Sequence, residues 1–379
     1  MTNSSTVSSR RRMLAAVLVA PARLEVREVP LPACPDDGLR LRVAACGICG
    51  SDIRAFRGHK ALSGVHRLGD EALAGHVVGH EIAGSVDAVG AGVTGFRPGD
   101  RVTVAPSLTC GTCDACRRGQ SVVCRSYGAI GWSIPGGFAE FVAVPGRLLT
   151  DGSVNRIPDP VPAWRASLTE PLACAVHGQT AILVERGDAV LVSGGGPMGS
   201  LNVLLARQRG AALVAMADPN ACRRDFARSL GAEVTVDPKA PDAAAALLDG
   251  TGGQGFSAVI LAVSSIAPIR ELFRLSPDGR YPLLAPGARV SVFSGLDPGD
   301  TAFWLDARAL FYQGIRLVAS VNSAPAHNAE ALRLIATGAV DVGPLVTARL
   351  PLSRAPEAIA LAMSRPRVHQ KVVLEPSPE

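Results

Sequence analysis

At the middle of the chain, Gly194-Gly195-Gly196-Pro197-Met198-Gly199 follows an apolar run, residues 189–193, and precedes a helical stretch, residues 200–209. No other feature limits the fold as much. A G-x-G-x-x-G pattern by itself is common in turns, but one that ends a strand and opens a helix has a specific use. Gly194 permits the tight turn, Gly196 lets the backbone approach a pyrophosphate, and Gly199 lets the helix pack on the sheet. The helix start, with Pro197 and Met198 in the same loop, turns unpaired N–H groups and a positive dipole end toward an anion. Beyond it, strand-like runs at 212–217, 234–236, 258–263 and 289–293 and a helical stretch at 221–230 continue the alternation. This pattern predicts an α/β, doubly wound parallel sheet that binds a dinucleotide. Asp218 ends the first of these strands, 19 residues after Gly199. A carboxylate there accepts hydrogen bonds from two ribose hydroxyls and repels a 2′-phosphate, so NAD is expected over NADP. The competing reading is a glycine-rich turn with a helix-capping Asp218. Arg223 and Arg224 are expected on the solvated face of the next helix.

Before the loop the rhythm is different. Short strand-like runs at 40–44, 80–86, 101–105 and 138–144 are broken by Gly and Pro, as in an irregular β-rich domain. The tail holds a helical stretch at 328–337 and strands at 345–350 and 371–374, and is expected to return to that first domain. The expected division is residues 13–173 with 313–379 as one domain, 174–312 as the other, and 1–12 as a disordered leader. Arg10-Arg11-Arg12 and the apolar run 13–20 imitate an export signal, but Pro21 ends the run and residues 23–29 alternate like a strand. No run approaches the roughly 18 apolar residues of a membrane span. The net charge of +5 comes without a basic block interleaved with aromatics, which argues against nucleic-acid binding.

Nine cysteines are present, and their short spacing beside a nucleotide-binding pattern points to metal in a reducing cytoplasm rather than to disulfides. Cys110, Cys113, Cys116 and Cys124 have the spacing C-x2-C-x2-C-x7-C. Four thiolates close a tetrahedral shell with no open position, so they read as a structural zinc site that folds its own lobe. Buried free thiols and an iron–sulfur cluster are the competing readings. A second, dispersed set consists of Cys49, His80, Glu81 and Glu170. Three protein ligands plus water would make an open, catalytic zinc site. On residue types alone, a satisfied buried His80 and a helix-capping Glu170 account for the same residues.

The chain resembles the zinc-containing medium-chain dehydrogenase/reductase family, most closely its polyol and sorbitol dehydrogenase-like branch. The resemblance rests on Gly47-Ile48-Cys49-Gly50-Ser51-Asp52, Gly79-His80-Glu81, and Val89-Gly90 with Phe96-Arg97-Pro98-Gly99-Asp100-Arg101-Val102. It continues through the four-cysteine lobe, Gly136-Gly137-Phe138-Ala139-Glu140-Phe141, Glu170-Pro171-Leu172-Ala173 and the glycine loop, in the family's order. It implies a GroES-like β-rich catalytic domain wrapped around a Rossmann domain, with NAD and two zinc ions per chain. By the same resemblance Cys49 and His80 are zinc ligands, and Glu170 holds the ligand position that is Cys in simpler alcohol dehydrogenases. Glu81 matches a carboxylate that binds or approaches the zinc. Asp52 orients the ligand histidine, and Ser51 takes the substrate's proton. Cys174 and Cys46 fall off the ligand positions and read as core. Where relatives often carry His at the outer end of the proton relay, this chain has Arg54, which does not deprotonate at working pH. Arg54, Arg57, His59 and Lys60 crowd one stretch, as either a solvated loop or a site for an anionic or densely hydroxylated substrate.

The activity implied is oxidation of a secondary alcohol of a polyol, sugar or cyclitol by hydride transfer to NAD, or the reverse. A dehydrogenase for a threonine-like amino alcohol or a phosphorylated polyol is the neighbouring alternative. A non-catalytic NAD-binding sensor or structural protein is the alternative of another class. Cys49, Ser51, His80 and Glu170 together argue against it. A cytoplasmic homodimer or homotetramer is expected, with a small-molecule partner and neither nucleic acid nor membrane.

Overall fold

The computed structural model describes residues 12–58, 75–296, 299, 301–364 and 370–377. Residues 1–11 of the expected leader, and His59 and Lys60, lie outside the described residues. Arg12, counted with that leader, instead opens the strand Arg12–Ala20, which pairs antiparallel with Arg23–Pro30. Ala15, Ala16, Val17 and Leu18 of the signal-like run are buried in this strand pair.

The cofactor half is a six-stranded parallel sheet. Its order is Val234–Val236, Leu213–Ala217, Ala189–Ser193, Phe256–Leu261, Leu284–Val292, Arg316–Ala319. This 3-2-1-4-5-6 order places the chain reversal between Ala189–Ser193 and Phe256–Leu261, where open α/β sheets bind ligands beyond the strand ends. Val190, Leu191 and Val192 are all buried because helices cover both faces of the sheet. Each such side chain contributes roughly 1.5–3 kcal/mol relative to exposure. Arg316–Ala319 pairs parallel with Leu284–Val292, so the cofactor unit runs past the boundary expected at 312.

The other half is a seven-stranded sheet. Along it lie Val154–Arg156, Arg101–Val104, Glu81–Val89, Leu39–Gly47, Lys371–Glu375 and Val346–Pro351, and Phe141–Val144 also joins Leu39–Gly47. The tail therefore does return. Lys371–Glu375 lies antiparallel to Leu39–Gly47 and brings the chain's last strand beside the Cys49 loop. Between the two sheets runs the helix Thr169–Ala181, which packs on the helices Pro197–Gln208 and Pro325–Ala336. Among the described residues, no helix is long and apolar enough to cross a membrane.

Candidate active site

One buried carboxylate joins two loops. The helix Gly50–Phe56 starts at Cys49, whose backbone N–H donates to Asp52 Oδ2 at 2.8 Å. Asp52 Oδ1 accepts from the N–H of Gly79 at 3.3 Å. The same oxygen lies 3.4 Å from His80 Nδ1, within ion-pair reach but without hydrogen-bond geometry. The imidazole is thereby turned so that Nε2 faces Ser51 Oγ at 3.5 Å. Ligand atoms of Cys49, His80 and Glu81 all lie within 4.8 Å of one another. Burial disfavours a charged His80, but Asp52 and Cys49 outweigh it and hold its pKa well above the ordinary value. Glu81 is fully buried, and its Oε2 accepts no hydrogen bond. The group is rich in anionic donors, one Glu81 oxygen accepts no hydrogen bond, and a thiol, an imidazole and a carboxylate gathered so closely suit zinc.

Glu170 is buried in the first turn of Thr169–Ala181 but stands outside that 4.8 Å group. Burial raises its pKa, His80 opposes the rise, and Glu81 adds to it. One turn on, the Cys174 thiol donates to Glu170 Oε1 at 3.5 Å. Cys174 is thus not core filler, as the sequence suggested, but a half-buried neighbour of the site. Cys46 is wholly buried in its strand and outside the group.

The residue that sequence reasoning missed is Lys371. It is 3% exposed, donates from Nζ to Ile48 O at 3.1 Å and forms an ion pair with Glu81. Burial works against its charge, but Glu81 and Cys49 prevail and its pKa is raised. A lysine opening the apolar run Val372-Val373-Leu374 was the available signal, since a buried cation requires a buried anion.

The four expected structural cysteines converge. Thiols of Cys110, Cys113, Cys116 and Cys124 lie within 4.8 Å of one another. The N–H of Cys110 donates to Cys124 Sγ at 3.3 Å and that of Cys113 to Cys110 Sγ at 3.4 Å. Backbone N–H groups of Thr112 and Cys113 draw the Cys110 thiol pKa down to about 5. Amide-stabilised thiolate in a tetrad fits a closed zinc shell. The short pair Ser107–Leu108 and Gly128–Ala129 ties this lobe to its domain.

In the glycine loop, Gly194 has φ +101°, and a Cβ there would sit 2.7 Å from Ala262 O. A Cβ on Gly199 would run into Gly194 O. Gly196 caps the helix Pro197–Gln208, so Pro197, Met198 and Gly199 form its first turn, three residues earlier than expected. Pro197 is preset for that position. The space above Gly196 is clear except for the Arg223 guanidinium, 3.7 Å from where a Cβ would be. That room, at a helix N-terminus, fits a pyrophosphate. Asp218 is 4% exposed and accepts from the N–H groups of Gly195 (2.7 Å) and Asn220 (2.8 Å). The two arginines are not on the solvated face. Arg223 Nη1 stands 3.6 Å from Asp218 Oδ2, and Arg224 Nη1 donates to Asp218 O at 2.8 Å. Helix Ala221–Ser229 starts so close to the strand end that its first-turn side chains fold back over the loop.

Arg54 lies one helical turn after Ser51, on the same face of Gly50–Phe56. It is half-buried and has no hydrogen-bond or ion-pair partner among the described residues, whereas Arg57 is exposed.

Comparisons with known proteins show the family. The alcohol dehydrogenase GroES-like domain model matches residues 35–155, and the zinc-binding dehydrogenase model matches 197–337. A D-altritol 5-dehydrogenase of Agrobacterium fabrum is 35% identical over 351 residues, 90% of this chain and 93% of the relative. An L-threonine 3-dehydrogenase of an Anaeromyxobacter species is 30% identical over 86% of this chain and 89% of the relative. A structure from Sinorhizobium meliloti, solved bound to NADP, superposes with a TM-score of 0.84 at 29% identity, covering 97% of this chain and 100% of that one. The chain belongs to the zinc-binding alcohol dehydrogenase family. It is an oxidoreductase that uses zinc and a nicotinamide dinucleotide on a small alcohol.

Proposed function

We propose that the enzyme interconverts a secondary alcohol of a polyol, sugar or cyclitol and its ketone, with NAD preferred over NADP. The observation that carries this reading is the convergence of Cys49, His80 and Glu81 beside the Ser51 hydroxyl, with the buried Glu170 outside that group but within electrostatic reach of His80 and Glu81. Zinc held there would polarise the alcohol oxygen, and the dinucleotide would take the hydride. Cys49 and His80 would hold the metal, with Glu170 or Glu81 as third ligand. Asp52 keeps His80 in register. Ser51 Oγ receives the alcohol proton, and because Arg54 cannot pass it on, the proton leaves to solvent. Lys371 balances the charge of Glu81. The four-cysteine lobe takes a second, structural zinc.

A charged substrate is the second reading, and Arg54, one turn from Ser51 and without a partner among the described residues, favours it. A carboxylate, as on a threonine-like amino alcohol, or a phosphate on a polyol would supply the missing partner. Screening polyols, cyclitols, their phosphates and amino alcohols by NADH absorbance separates the two. Turnover confined to neutral polyols supports the first reading, and none on any secondary alcohol overturns both.

The chain assembles as a homodimer or homotetramer in a reducing cytoplasm, with neither nucleic acid nor membrane as partner. The edge strand Arg316–Ala319 and the exposed Trp304, Phe311, Tyr312 and Val321 support a self-association face. The cysteines, all free thiols, support the compartment.

A further inference from the structure

Gln370 precedes the final strand of the catalytic half, yet its side chain reaches the glycine loop of the other half. Its Nε2 donates to Gly195 O at 3.3 Å, and its backbone N–H donates to Thr347 Oγ1 at 3.1 Å. The residue is 7% exposed, and its Oε1 is buried without a hydrogen-bond partner among the described residues. The carbonyl of Gly195 can only accept, so the atom facing it is the NH2 group and the free atom is the acceptor. A buried acceptor left without a donor is disfavoured, and it persists where something else supplies the donor. Gly195 cannot supply it, because its N–H is already held by Asp218 Oδ2 at 2.7 Å. Of the groups a dinucleotide brings to this loop, phosphoryl oxygens only accept, whereas ribose hydroxyls donate.

We propose that Gln370 is a cofactor-contacting residue: Oε1 accepts a hydrogen bond from a ribose hydroxyl of the bound dinucleotide while Nε2 stays on Gly195 O. This rests on the glycine loop being the dinucleotide site. The next residue, Lys371, holds Ile48 O and Glu81, so two consecutive side chains tie the cofactor loop to the metal-bearing loop. The contact adds cofactor affinity and fixes the glycine loop against the catalytic half at the same time.

The test is NADH binding to the zinc-loaded protein, followed by fluorescence, with zinc content and thermal midpoint measured alongside. Gln370→Met keeps the length and removes both polar atoms. It should raise the NADH Kd about tenfold at unchanged zinc content. Gln370→Asn, which withdraws the amide by one methylene, should do much the same. The wild type should bind one of the NADH analogues lacking a single ribose hydroxyl about as weakly as Gln370→Met binds NADH. Gln370→Met should not distinguish that analogue from NADH. An unchanged Kd in a folded Gln370→Met protein overturns the proposal. So does a loss of affinity equal for every analogue, which would leave only the tether to Gly195. A wild type that binds no NADH sinks the reading of the loop itself.

Discussion

The arginine beside Asp218 makes cofactor choice a balance that one substitution should tip. A unit charge about 4 Å away, at an effective dielectric of about 20, is worth about 4 kcal/mol. Asp218 repels a 2′-phosphate and Arg223 attracts it. The two groups stand 3.6 Å apart, so they act from similar distances and their effects largely cancel. What remains is the carboxylate's hydrogen bonding to the ribose hydroxyls of NAD. We expect that to favour NAD by about 1.4 kcal/mol, or about tenfold in kcat/KM. Arg223→Ala removes the attraction and leaves the repulsion. Its side chain is 15% exposed, so solvent screens part of the charge. Even a third of the unscreened value, about 1.4 kcal/mol, widens the preference to about a hundredfold. Asp218→Ser should move the ratio the other way and narrow the gap, with weaker binding of both cofactors because the Gly195 and Asn220 N–H groups lose their acceptor. Steady-state rates with NAD and NADP, followed at the absorbance of the reduced cofactor, give the ratio. An Arg223→Ala enzyme with the wild-type ratio would refute the argument, because a guanidinium so placed could not then be felt at the 2′ position.

Four further outcomes are expected. Arg54→Ala should leave neutral polyols nearly unaffected, and should cost on the order of ten- to a hundredfold in kcat/KM on a carboxylated or phosphorylated substrate if one is bound there. Arg54→His should speed a proton-limited step near neutral pH, and a slower variant with selective loss on anionic substrates would favour the charged-substrate reading instead. Cys113→Ser should release one zinc per chain and lower the thermal midpoint, and full zinc content in that variant would exclude the tetrad as a metal site. Phe311→Glu with Tyr312→Glu should shift the protein to a smaller species in sedimentation, and an unchanged mass would exclude that face as the contact.

The parallel sheet was the most legible part of the chain. Apolar runs bounded by turn residues gave Ala189–Ser193 and Val234–Val236 to the residue. The helix Thr169–Ala181 was not read, for a physical reason. Leu172, Ala173, Ala175, Val176, Gly178 and Gln179 are buried around most of its circumference and the remaining face, with Cys174, His177 and Ala181, is half-buried, so no exposed polar stripe generates a 3.6-residue period. The run 13–20 had the composition of an export segment as much as of a strand, and its pairing with Arg23–Pro30 joins Pro21 and the alternation after it in marking a strand. Spacing sufficed for the cysteine tetrad because its members are close in sequence. The second metal-type group draws Cys49, His80 and Glu81 from separate loops. Asp52 and Lys371, which hold those loops together, act through contacts that spacing does not encode. The fold-back of Arg223 was hidden for the same reason.

The central claim is that one chain carries two zinc ions with different tasks. Elemental analysis of the purified protein and of Cys49→Ser, paired with turnover, tests it most directly. The account predicts close to two zinc ions per wild-type chain. It predicts one in a folded Cys49→Ser protein that still binds NADH but does not oxidise alcohol. A Cys49→Ser enzyme with wild-type turnover, or a wild type fully active with a single zinc, would contradict it.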